Sequence, residues 1–138
     1  MIEELKNIIN SVGSGYIVSF EESKMMNVKA DEYPQGAKFA YIEEYVSGSY
    51  SKEKFFHKKV IQVQIYFCMF TELHVDAIQR EAIRAQIESD IVIHFMEKYN
   101  ASGVFDKVDT FKFLTPHPRF DAKEVSIMLQ FDCKKSKC

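Results

Sequence analysis

The chain has no tryptophan, and only three prolines, three cysteines and five glycines among 138 residues. So few glycines leave little material for a phosphate cradle, and neither a P-loop nor a GxSxG elbow occurs. The cysteines, Cys68, Cys133 and Cys138, are odd in number and form no CxxC pair, which argues against a disulfide framework and against a paired-cysteine metal site. Cys68 and Cys133 fall inside strand-like runs, where a free thiol behaves as a small apolar side chain; both are expected buried and reduced. No apolar run reaches the 18 or so residues that a membrane helix needs. The opening residues, MIEELKNIINSVG, carry acids at helical spacing rather than a basic segment followed by an apolar block, so no secretion signal is read there. A net charge of −2 provides no bulk field toward a polyanion.

What is present is ordinary for a folded protein: 46% hydrophobic and 28% charged residues. The length suits one α+β domain over 1–138, large enough to bury a core without staples. Aromatics stand at 14%, with twelve Phe and seven Tyr, and such residues favour strands and protein interfaces. Residues 2–12 repeat Ile2, Leu5, Ile8, Ile9 and Val12 at helical spacing, with Glu3 and Glu4 at the positive end of the helix dipole and GSG at 13–15 as a stop. YIVSF at 16–20 is a short strand. The polar stretch 21–36 ends in DEYPQG and reads as a mobile loop. KFAYIEEYVSGSY begins a second strand, with Phe39, Tyr41 and Tyr45 on one face and Ala40, Ile42 and Val46 on the other. SGSYSKEK then reads as a hairpin tip.

The longest strand is VIQVQIYFCMF, residues 60–70. Ile61, Val63, Ile65, Phe67 and Met69 form a wholly apolar face that must meet a core. Val60, Gln62, Gln64, Tyr66, Cys68 and Phe70 form a mixed one. Asp76 and Gln79 then make a capping box, and Ile83, Ile87, Ile91 and Phe95 recur every four residues along a helix of about six turns, closed by NASG. KVDTFKFL and EVSIMLQFDC follow as strands, joined by the Pro-rich loop TPHPRFDAK, and 134–138 is expected to fray as a basic tail. The order predicts a mostly antiparallel sheet of four to five strands, with the N-terminal helix and the long helix on one face. Ile61, Val63, Ile65, Phe67, Val125, Ile127, Leu129 and Phe131 should meet Ile83, Ile87, Ile91 and Phe95.

The search for chemistry is negative at each step. His57, His74, His94 and His117 show no ligand spacing, and there is no HExxH and no carboxylate-rich loop, so neither metal nor cofactor is expected. Glu43 and Glu44 are adjacent on a strand and point to opposite faces. Asp106 and Asp109 are read as solvated. No nucleophile–base set is visible, so no catalytic residue is assigned. Lys52, Lys54, Lys58 and Lys59 interleave with Tyr50, Phe55 and Phe56, a mixture that single-strand binders use. Lysines beside an edge hairpin also block unwanted sheet extension, and with the acidic overall balance the protein-contact reading prevails over nucleic acid. Tyr50, Lys52, Lys54, Phe55 and Phe56 are therefore the candidate subunit interface.

The element order carries one resemblance. A helix precedes a Pro-containing loop and FAYIEEYVSGSY; KKVIQVQIYFC runs into DAIQREAIRAQIESDIVIHFM; a strand pair ending in VSIMLQFDC closes the chain. This resembles the tail-completion and tail-terminator proteins of long-tailed phages and prophages, most closely in QREAIRAQIESD and VSGSYSKEKFF. The insertion EESKMMNVKADEYPQ departs from the compact family pattern. The resemblance implies a non-enzymatic subunit of a ring, commonly hexameric, at the tail end or head–tail junction. Its partners would be copies of itself and tail-tube or head–tail connector proteins, and it would be made in the bacterial cytoplasm and carried in the virion tail. A neighbouring subunit would then cover the mixed face of the long strand. The alternative is a small bacterial protein- or ligand-binding module.

Overall fold

The computed structural model describes residues 1–13, 15, 17–21, 38–43, 47–53, 56–71, 76–115 and 124–136. Helix α1 (Ile2–Ser11) forms where the spacing places it and buries Leu5, Ile8 and Ile9. It stops at Gly13, whose φ of +72° is cheap only without a Cβ. Six strands make one sheet: β1 (Ile17–Glu21), β2 (Lys38–Glu43), β3 (Gly48–Glu53), β4 (Phe56–Phe70), β5 (Lys112–Leu114) and β6 (Glu124–Lys134). The strand order is β1-β2-β4-β6-β5, with β3 also paired to β4. The β1–β2 pair is parallel and every other pair is antiparallel. The fold is thus α+β, with the helices packed on one face of a mostly antiparallel sheet.

Three expectations need correcting. The hairpin tip read at SGSYSKEK contains a strand of its own, β3, which raises the sheet to six strands. The strand read over KVDTFKFL shrinks to Lys112–Leu114. Its first half cannot join the ladder because the Asn100 side chain takes both backbone groups of Val108: Val108 N donates to Asn100 Oδ1 at 2.8 Å and Asn100 Nδ2 donates to the Val108 carbonyl at 3.0 Å. The tail does not fray up to Ser136. Asp106 N donates to the Lys134 carbonyl at 2.8 Å and Ser136 N to the Val104 carbonyl at 3.0 Å, and Lys135 Nζ lies 2.9 Å from Glu4 Oε1.

The long helix is helix α2 (Ala77–Ile87), a π turn (Glu88–Val92) and helix α3 (Ile93–Ala101). Asp76 and Gln79 form the capping box: Gln79 N donates to Asp76 Oδ1 at 2.8 Å, and Asp76 N to Gln79 Oε1 at 3.0 Å. The π turn follows from the side-chain spacing. A stripe repeating every four residues creeps round a helix of about 3.6 residues per turn by about 40° per step. One wider turn, closed by Ile93 N donating to the Glu88 carbonyl, takes up that creep. Ile87, Ile91, Phe95 and Tyr99 consequently all reach the core fully buried.

That core is the expected one. Val63, Ile65, Phe67 and Met69 of β4 pair with Phe131, Leu129, Ile127 and Val125 of β6 and pack under the long helix and α1. Ile61 and Ile83 sit at its margin, partly buried. Rings fill its far end, where Tyr99 stacks on Phe105 at 5.1 Å and meets Phe131 edge-on at 5.0 Å.

The opposite face of β4 divides in two. Phe39, Tyr41, Tyr66, Cys68, Phe70 and Met128 form a second buried cluster, with Tyr41 at 0% exposure. Tyr45 and Val46, read as continuing the faces of β2, lie outside the described residues. Toward the β3 end the same face turns polar, with Gln62 opposite Asp132 and Gln64 opposite Gln130. The apolar half is already buried within the chain, so no neighbouring subunit is needed to cover it. This corrects the reading of the mixed face.

Candidate functional site

The titratable groups divide into structural and solvated ones. Cys68 and Cys133 are buried and in no disulfide, as expected. The Cys133 thiol is pushed up to about 11 by burial. Beside it, burial drives the Tyr99 hydroxyl well above its ordinary value. Among the described residues that hydroxyl has no oxygen or nitrogen partner, and it lies beside the weakly polar Cys133 sulfur. His57 and His94 are exposed on a strand and a helix, while His74 and His117 lie outside the described residues. Among the described residues, no three His, Cys, Asp or Glu side chains come together in a way that could hold a metal ion. Among them also, no helix is long and apolar enough to cross a membrane.

Asp106 is not simply solvated, contrary to the expectation. Lys58 Nζ donates to Asp106 Oδ2, and this ammonium holds the Asp106 carboxyl below the ordinary carboxylate value. Lys58 is therefore neutralised within the chain, and the basic run loses one of the cations that would serve a phosphate backbone. The same contact ties β4 to the segment that follows the long helix.

What the sheet presents outward is an arm. Strand β6 pairs with β4 only from Val60 onward, whereas β3 pairs with β4 from Phe56 to Ile61. Both strands meet β4 at Val60 and Ile61, so β3 lies on the side of β4 opposite to β6. Among the described residues, Phe56 to Lys59 have β3 as their only strand partner, and the two strands project beyond the sheet as a ribbon. Gly48 makes the ribbon's base possible. A Cβ there would sit 2.5 Å from the Val60 carbonyl oxygen, a distance no side chain tolerates. Ser47 seals the base, accepting from Gln62 N at 2.8 Å and donating from its Oγ to Gln62 Oε1 at 3.1 Å.

Of the expected interface residues, Tyr50 and Lys52 stand on this arm in β3, and Tyr50 is 72% exposed. Phe56 is the first residue of β4. Lys54 and Phe55 lie outside the described residues, as do 22–36 of the stretch read as a loop over 21–36. The other flank of the sheet holds a feature that sequence reasoning missed. A groove of about 380 Å³ runs between the long helix and β5, lined by Glu81, Arg84, Glu88, Met96, Phe111 and Phe113 among others. Phe113 is 67% and Leu114 55% exposed. The alternation in FKFL predicts a strand but not that it would be the sheet's edge, which only the pairing order decides.

No family model matches the chain, and no curated protein matches it at a significant level.

Proposed function

We propose that the chain is a non-enzymatic structural subunit that joins copies of itself into a ring, at the tail end or head–tail junction of a phage or prophage. The observation that carries this reading is the projecting β3–β4 arm with Tyr50 at its exposed surface. An aromatic held out on a two-stranded ribbon loses apolar burial unless a partner covers it. Ion pairs such as Lys58–Asp106 and Lys135–Glu4 tie separate segments of the chain together, a structural use of charge that suits an assembly subunit. Tail-tube or connector proteins would be the further partners, and the virion tail the location.

Sedimentation velocity over a wide concentration range tests the reading. The protein should form discrete oligomers as concentration rises, and Tyr50→Asp should abolish them while leaving the melting temperature within about 2 °C, as an exposed substitution does. A parent that stays monomeric at every concentration, and that binds no tail-tube protein, would remove the ring reading. The second reading, a binding module, is favoured by the groove beside the long helix and would then take precedence.

A further inference from the structure

We infer that β3 of one copy pairs with β5 of the next, so that Tyr50 enters the neighbour's groove beside the long helix and the sheet continues from subunit to subunit. The inference rests on the assembly reading and specifies its contact. Among the described residues, β3 and β5 each pair with a single strand, β4 and β6 respectively. They stand on opposite flanks of the sheet, and each has an edge with no strand partner among the described residues, a template for strand addition. A contact between two different edges of the same molecule is head-to-tail, and such contacts close into rings when the rotation permits.

Strand direction agrees. Strand β3 runs antiparallel to β4, while β5, antiparallel to β6, runs parallel to β4. Copies arranged around an axis along the strands therefore bring β3 and β5 together antiparallel.

The side chains agree as well. Tyr50 pairs with Lys59 and Phe113 with Leu129, which places both rings on the helix-bearing face. Setting Tyr50 opposite Phe113 puts Ser49 opposite Leu114, Ser51 opposite Lys112 and Lys52 opposite Phe111. Lysine then meets no lysine across the new pair. Lys52 arrives on the face where the exposed carboxylates of Glu81 and Glu88 line the groove, a pairing of opposite charges. Tyr50 and Phe113 are two of the most exposed large hydrophobic side chains among the described residues, and this one contact brings them together, while Leu114 on the other face meets Ser49.

Disulfide trapping tests it, in a Cys138→Ser background so that the remaining native thiols are the two buried ones. Tyr50→Cys and Phe113→Cys proteins, mixed and oxidised, should give a cross-linked heterodimer. Neither variant alone should cross-link, and a chain bearing both should give a ladder ending at the ring size. A Tyr50→Cys and Ile78→Cys mixture serves as the control, Ile78 being exposed on α2 and not among the residues that line the groove. Cross-linking of Phe113→Cys to itself would indicate a two-fold β5–β5 contact and overturn the inference. So would a mixed yield no greater than the control in a protein that sedimentation shows to self-associate, and that result would leave the ring reading intact. A parent that never self-associates removes the inference, and removes the ring reading with it when it also binds no tail-tube protein.

Discussion

Replacing Ile87 with alanine tests the packing on which everything else is mounted. Ile87 ends α2, lies at 0% exposure, and sits in the cluster between the long helix and strands β4 and β6. The change removes three carbons, worth about 2.4 kcal/mol at roughly 0.8 kcal/mol per buried methylene. Incomplete collapse of the space adds to that, in keeping with the roughly 2–5 kcal/mol seen for buried Ile→Ala. Alanine's better helix propensity returns about 0.5 kcal/mol. The expected net loss is about 3 kcal/mol, a drop in melting temperature on the order of 10 °C for a domain of this size. Urea unfolding followed by far-ultraviolet circular dichroism gives the free energy, and Ile78→Ala is the control. Ile78 lies on the same helix at 80% exposure, so its truncation should stay within about 0.5 kcal/mol of the parent. If the two variants lose similar stability, or Ile87→Ala loses less than about 1 kcal/mol, the long helix is not seated on the sheet as described.

Two further outcomes follow from local geometry. Deleting Ser89, an exposed residue inside the π turn, should convert that turn to ordinary α-helix and leave Ile87 and Phe95 on the core face. Deleting exposed Glu97 from α3 should rotate Tyr99 out of its ring cluster. Thermal melts should show a cooperative transition for the first deletion and its loss for the second, and equal damage from both would refute the role given to the π turn. The third outcome concerns pH. The N-terminal ammonium, 2.6 Å from Glu4 Oε2, and the Lys135 ammonium hold the Glu4 carboxyl at about 2, below its ordinary 4.5. A carboxyl lowered in the folded state adds stability that is full above the unfolded value and fades as pH falls from about 4.5 toward 2. Glu4→Gln should therefore lower the melting temperature at neutral pH and converge on the parent as pH falls toward 2, so that the acid limb of the profile flattens. An unchanged acid limb would show that this surface pair does not couple to folding.

Much of the molecule was determined locally. The alternation in VIQVQIYFCMF and EVSIMLQFDC defined two core strands, because a side-chain period of two leaves only one way to turn an apolar face inward. Asp76 and Gln79 marked the start of the long helix within their own turn, and the Ile83-to-Phe95 stripe named its buried face. The tertiary structure decided what depends on partners distant along the chain. Whether SGSYSKEK is a tip or a strand rests on β4 extending past β6. Whether FKFL is an inner or an edge strand rests on pairing order, and the length of that strand rests on Asn100 capturing Val108. The burial of Tyr66 and Cys68, against the half-buried position of Gln62 four register pairs before Tyr66, likewise emerges only when β2 and β6 flank β4. Backbone hydrogen bonds and apolar faces are satisfied by whichever segment arrives beside them, and a linear pattern names the need for a neighbour without naming the neighbour.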